Sequence, residues 1–186
     1  MECHTTGDRT MTSTLYVDNL IEKTSGNGVQ IPGHVIQTVY VESTTSAVYS
    51  MGSTTTSTDL YSAAITPNNT SSKILISINL QWGISNTNGD FGLYLKRGST
   101  RIGGKGNDSA RGGSNIWFAN DDRVGSENQQ NYNLFNASWQ YLDSPNTTSS
   151  TTYTVGAAIH TIFTFNRHYS YDNGGTSSIT LQEIAQ

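Results

Sequence analysis

Residues 73–82 read KILISINLQW, and this stretch decides the fold class. Ile74, Ile76, Ile78, Leu80 and Trp82 fall on one side of a period of two, and Leu75, Ser77, Asn79 and Gln81 fall on the other. A helix would need its apolar residues three and four apart; strict alternation over this length belongs to a half-buried β-strand. Ile76 and Ile78 are therefore expected in the core and Asn79 at the surface.

Working outward, the same period recurs. Val35, Gln37, Val39 and Val41 alternate with Ile36, Thr38 and Tyr40, β-branched and aromatic residues that suit a pleated surface. Phe91, Leu93 and Leu95 form an inward set leading to a turn at Arg97-Gly98-Ser99-Thr100, followed by Arg101-Ile102. Phe135, Ala137, Trp139 and Tyr141 share one side of a strand expected over 132–142. Tyr153, Val155, Ala157 and Ile159 form another set, which Phe163 and Phe165 continue after a kink. Ile179 and Leu181 open a last strand that reaches Ile184. Pro67-Asn68-Asn69, residues 85–89, Ser144-Pro145-Asn146 and residues 172–175 supply turn chemistry between these runs. Seven or eight short strands of this kind predict an all-β jelly-roll β-sandwich, with a closed up-and-down barrel as the alternative. Residues 1–33 differ: they contain Gly26-Asn27-Gly28 and Pro32-Gly33, with Leu15, Val17, Leu20 and Ile21 as apolar anchors. That is too little for a core, so the expected organisation is a short extended N-terminal arm at 1–33 and a jelly-roll head at 34–186.

Composition narrows the function. Ser, Thr, Asn and Gly supply 84 of the 186 residues, a bias shared by disordered chains and by all-β proteins with many polar turns. Aromatics at 10% and a net charge of only -4 decide against disorder, which goes with few aromatics and high charge. Ten basic residues scattered among fourteen acids leave no basic face for phosphates, so no nucleic-acid partner is expected. No run of eighteen apolar residues occurs, so no membrane insertion is expected. The opening MECHTTGDRTMTST has no apolar segment and is not read as a secretory signal. Cys3 is the sole cysteine, which leaves packing to hold the fold.

The residue patterns of catalysis and metal binding are not met. Gly103-Gly104-Lys105-Gly106 suggests a phosphate loop, but residue 106 is Gly where Ser or Thr must follow the lysine, and Ser109 stands where a dinucleotide fingerprint needs glycine. A connection between strands is the favoured reading of that segment. His4, His34, His160 and His168 lack paired spacing for a metal. Asp121 and Asp122, with Asp108 and Glu127, are adjacent or distant rather than set around a turn as a calcium loop requires. No Gly-x-Ser-x-Gly elbow occurs. Neither enzymatic activity nor a cofactor or metal is expected. Aromatics on loops stand out instead: Trp117-Phe118 after the Gly-rich segment, and Tyr169 and Tyr171 alternating in a polar one. Such rings either stack on sugars or fill an oligomer interface, where Tyr and Trp are enriched.

Several phrases in order, STLYVDNLIEKTSGNGVQIPGHVIQ (13–37), SAAITPNNTSSKILISI (62–78), LYLKRGSTRI (93–102), YLDSPNTTSSTTYTV (141–155) and SSITLQEIAQ (177–186), resemble small virion proteins of marine and cyanobacterial tailed phages. They cover roughly half the chain. The resemblance implies a trimeric jelly-roll head akin to tumour-necrosis-factor-like domains, on the virion surface as a tail fibre, head fibre or capsid decoration protein. It brings no catalytic residues. The partners it implies are two further copies in a homotrimer, other capsid or tail proteins, and, in the tail-fibre alternative, a host surface glycan. Particle attachment then falls to Leu15, Val17, Leu20 and Ile21, and the glycan or trimer contact to Trp117, Phe118, Tyr169 and Tyr171. With only the short arm ahead of the head, capsid decoration is favoured over a long fibre. Residues 103–130 and 1–10 lie outside the resemblance. A head with few aliphatic residues has a thin core for its size, and oligomerisation would raise its apparent stability.

Overall fold

The computed structural model describes residue 21 and residues 31–50, 56–84, 91–105, 107–108, 113–120, 133–160, 162–172 and 174–186. Every regular element among them is a β-strand: β1 (Val35–Ser43), β2 (Ala47–Ser50), β3 (Thr56–Ile65), β4 (Lys73–Gly83), β5 (Phe91–Arg97), β6 (Thr100–Ile102), β7 (Asn107–Asp108), β8 (Gly113–Ser114), β9 (Ile116–Asn120), β10 (Phe135–Asp143), β11 (Thr151–Ile159), β12 (Ile162–Phe165) and β13 (Ser177–Ile184).

In the first sheet β1, β13 and β4 lie side by side, with β10 on the other edge of β4. β12 continues the line of β13: Phe165 pairs with Trp82 and Ser178 with Asn79, and the chain leaves the sheet between them at residues 166–176. β2 pairs with β12 as β1 does with β13. The second sheet runs β3, β11, β5, with β6 and β9 sharing the far edge of β5. Taking β1 with β2, β6 with β9 and β12 with β13 as single ribbons gives about eight ribbons. The first, eighth, third and sixth form one sheet, and the second, seventh, fourth and fifth the other. Every pairing is antiparallel. This is the double Greek key of a jelly roll; an up-and-down barrel would place sequence neighbours side by side throughout.

The alternation in residues 73–82 is the core itself. Ile74, Ile76, Ile78, Leu80 and Trp82 are buried, and Asn79 on the other face is exposed. Leu93, Leu95, Val155, Ala157, Ile159, Ile179 and Leu181 join them in one cluster, filled out by Tyr61, Phe91, Tyr153, Phe163 and Phe165. Rings therefore do much of the work that scarce aliphatics cannot. β1 departs from simple alternation. A bulge between Val35 and Gln37 adds a residue, so Val39 and Val41 pack inward while Val35 opposes Ile184 and stays 49% exposed.

Two polar clamps join the layers. Asp143, buried at the end of β10, accepts from Arg97 Nη1 at 3.0 Å to each oxygen and from the Tyr153 hydroxyl at 2.7 Å, so one carboxylate ties β10 to both β5 and β11. Glu183, fully buried in β13, accepts from the Gln37 amide and from the Asn68 N–H at 2.8 Å, fixing the turn after β3. Such carboxylates are tolerable inside only because donors surround them.

Candidate functional site

Gly33 and His34 meet the end of β13 at one end of the first sheet. Gly33 N–H donates to the Ala185 carbonyl at 2.8 Å, and Ala185 N–H returns a bond to His34. Ile21 is 82% exposed; Leu15, Val17 and Leu20 lie outside the described residues.

Trp117 and Phe118 are adjacent in sequence, yet both face the inner side of the sheet, Trp117 packed against the core and Phe118 36% exposed at the edge. A bulge in the β5–β9 ladder makes this geometry: Leu93 opposes Phe118, Tyr94 opposes Ile116, and Trp117 is the extra residue. Trp117 lies along Trp139 at 6.3 Å between centroids and edge-on to Tyr141 at 5.5 Å, and its indole N–H donates to the Ile102 carbonyl at 3.0 Å. Phe118 meets Trp82 and Phe91 at 5.7 and 6.2 Å. Trp82 also stacks on Phe135 at 4.6 Å. These rings form a seam closing the sandwich between β10 and β9. The Gly-rich segment serves this seam: Gly103 has a φ of +58°, and a Cβ there would run into the Trp117 ring. Gly104 follows with φ +68°, and Lys105 N–H donates back to the Ile116 carbonyl at 3.2 Å.

Tyr169 and Tyr171 lie off the ladders. They sit on the excursion between β12 and β13, 37% and 58% exposed. The loop is pinned from below by Asn166, which is buried with φ +55°. Its amide donates to the carbonyls of Ser43 and Thr45 at 2.7 and 3.0 Å and accepts from Ser177 Oγ at 2.5 Å. Gly174 passes so close to the Asn166 carbonyl that any Cβ would collide with it. Above, Arg167 Nη1 pairs with Asp172 Oδ1 at 3.2 Å, and the Ser46 hydroxyl donates to the same oxygen. The His168 ring meets Tyr171 edge to face at 6.1 Å.

The outer face of the first sheet is a third feature, only partly visible in the sequence. The register aligns Tyr40, Thr180, Ser77 and Gln140 in one row, and Glu42, Ser178, Asn79 and Ser138 in the next. Amides and hydroxyls bond across it: Asn136 to Asn79, Gln140 to Ser77 at 3.0 Å, and Ser138 to Asn136 at 2.9 Å. On the outside of the second sheet, Tyr94 lies against Gly156 beneath the Arg101 guanidinium, 4.0 Å from the ring centroid, and its hydroxyl donates to the Thr58 carbonyl at 3.0 Å. Burial raises the pKa of Tyr61, Tyr94 and Tyr153 well above the ordinary phenol value, and the neighbouring carboxylates Asp59 and Asp143 push the last two further.

Among the described residues no three of His, Cys, Asp and Glu gather into a metal-binding group. No protein-family model matches the chain, and no curated protein matches it.

Proposed function

We propose that this chain is a structural protein of a tailed-phage virion: a homotrimeric appendage on the particle surface, seated through its N-terminal arm as a capsid decoration or head fibre. The observation that carries the proposal is the jelly-roll strand order, the architecture that the ordered phrases between residues 13 and 186 lead one to expect. The outer face of the first sheet supports the trimer. It is broad; across the four strands two of its rows are amide and hydroxyl with Glu42, and toward the other end lie Leu75, Leu142, Val35 and Ile184 beside Lys73. Interface centres are depleted of charge in this way, and three-fold closure needs one such patch on each copy. Light scattering on the whole chain at micromolar concentration tests the assembly: three chains per particle are expected, and a monomer that stays folded on dilution contradicts it. Reconstruction of the particle then places the copies on capsid or tail.

A second reading, host recognition through a surface glycan, has its own observation in Tyr169 and Tyr171. They project from a loop held by an ion pair and a buried asparagine, and exposed aromatics on a rigid base are what sugar contacts use.

A further inference from the structure

We propose that residues 166–172 form a saccharide subsite for a neutral hexopyranoside, with the Tyr171 ring as its stacking face and Asp172 as acceptor for a sugar hydroxyl; the proposal deepens the host-recognition reading and rests on it.

The loop is built before any ligand arrives. Asn166 and Gly174 fix its two feet against each other, and the Arg167–Asp172 pair closes its top. His168, edge-on to Tyr171, sets the orientation of the more exposed ring. Ordering costs on binding are small when the contact surface is held this way. A tyrosine ring offers a flat apolar face with a polar rim, which matches the C–H face of a pyranose bordered by hydroxyls.

Charge selects the sugar class. The Arg167 guanidinium is engaged by Asp172 Oδ1 and, through Nε, by the His168 carbonyl at 3.2 Å, and its side chain is mostly covered. The Asp172 carboxylate is 67% exposed. Its Oδ1 takes Ser46 and Arg167, while Oδ2 has no partner among the described residues. With Arg167 and Asp172 paired to each other, sialic, uronic or phosphorylated sugars find no uncommitted cation on this loop, and what stays open is Oδ2 of the exposed carboxylate. It accepts strongly from a neutral sugar's hydroxyl, because bonds to an ionised acceptor are the stronger kind.

The test is saturation-transfer NMR on the whole chain with the methyl glycosides of glucose, galactose and mannose, and the methyl glycoside of sialic acid for comparison. At least one neutral glycoside is expected to bind in the millimolar range and the sialoside not at all. Tyr171→Ala should weaken binding by about tenfold or more, while Tyr171→Phe, which keeps the ring, should stay within about twofold. Melting and light scattering confirm that each variant keeps its fold and assembly. Binding of a neutral glycoside that Tyr171→Ala leaves unchanged overturns this subsite and leaves glycan recognition standing elsewhere. Binding of the sialoside alone overturns the charge argument. No binding by any glycoside overturns both the subsite and the host-recognition reading, while the structural role is decided separately by particle binding.

Discussion

Trp117 and Tyr171 are alike in sequence, each a ring in a polar, glycine-bearing stretch, and the fold uses them in opposite ways. Trp117 is drawn in because a bulge turns it to the inner face, where Trp139 and Tyr141 receive it, while Phe118 beside it meets Trp82 and Phe91 at the sheet edge and stays 36% exposed. Tyr171 is held out because its loop is satisfied from within by Asn166, Arg167 and Asp172. Position relative to the ladder, rather than the rings themselves, separates structural aromatics from exposed ones.

The largest effect that tests this contrast comes from alkali, which probes the inward rings. Tyr61, Tyr94 and Tyr153 have folded pKa values raised by burial. Their contribution to stability is complete below the unfolded value of about 10 and is lost as pH climbs from there toward the folded values, because the unfolded chain releases these protons first. Tyrosinate absorbance of these three rings should therefore rise together with loss of circular dichroism; their titration in a chain that stays folded would contradict the burial. Next in size is Trp117→Ala, expected to cost about 3–5 kcal/mol in denaturant melts through the lost seam and the cavity left behind. A loss below about 1 kcal/mol would mean that the ring is peripheral. Asn166→Ala follows at about 2–3 kcal/mol, since it strips the partner from the buried Ser177 hydroxyl and from two part-buried carbonyls, and places alanine at a positive φ. Tyr171→Ala closes the series at about 0.5 kcal/mol or less, the usual surface value. A larger loss would make Tyr171 a structural ring like Trp117.

The sequence makes one half of this contrast legible. Period-two alternation in residues 73–82 and 135–141 identifies the inward face of β4 and β10 residue by residue, because one face of each strand is more buried than the other; in β11 both faces are buried over 153–159, the outer one beneath Tyr94 and Ile116. Bulges break that arithmetic. The extra residues in β1 and β9 turn Val35 outward and Trp117 inward, and no residue type announces either shift. β3, TSTDLYSAAI, is too polar to stand out as a strand, since it buries little beyond Tyr61, Ala63 and Ile65. Nor do Asp143 and Glu183 look different in sequence from solvated acids; Arg97, Gln37 and Asn68, which donate to them, are distant along the chain. Tyr169 and Tyr171 lie between strands, as their polar surroundings suggest, but the ion pair and asparagine that hold their loop are conformational facts. The two polar rows of the sheet face are readable only once the register is known.

The claim that the sandwich is an appendage seated through its arm has a direct test in a chain lacking residues 1–30, which retains the Gly33–Ala185 and His34–Ala185 bonds that tie the stem to β13. It is compared with the whole chain by light scattering, by thermal melting, and by co-sedimentation with particles that lack this protein. The account predicts a folded trimeric head with a melting temperature close to that of the whole chain and no co-sedimentation, because three arms act together and their loss removes the effective concentration that holds weak contacts. Full occupancy of the particles by the truncated head would contradict it and move the docking surface onto the jelly roll.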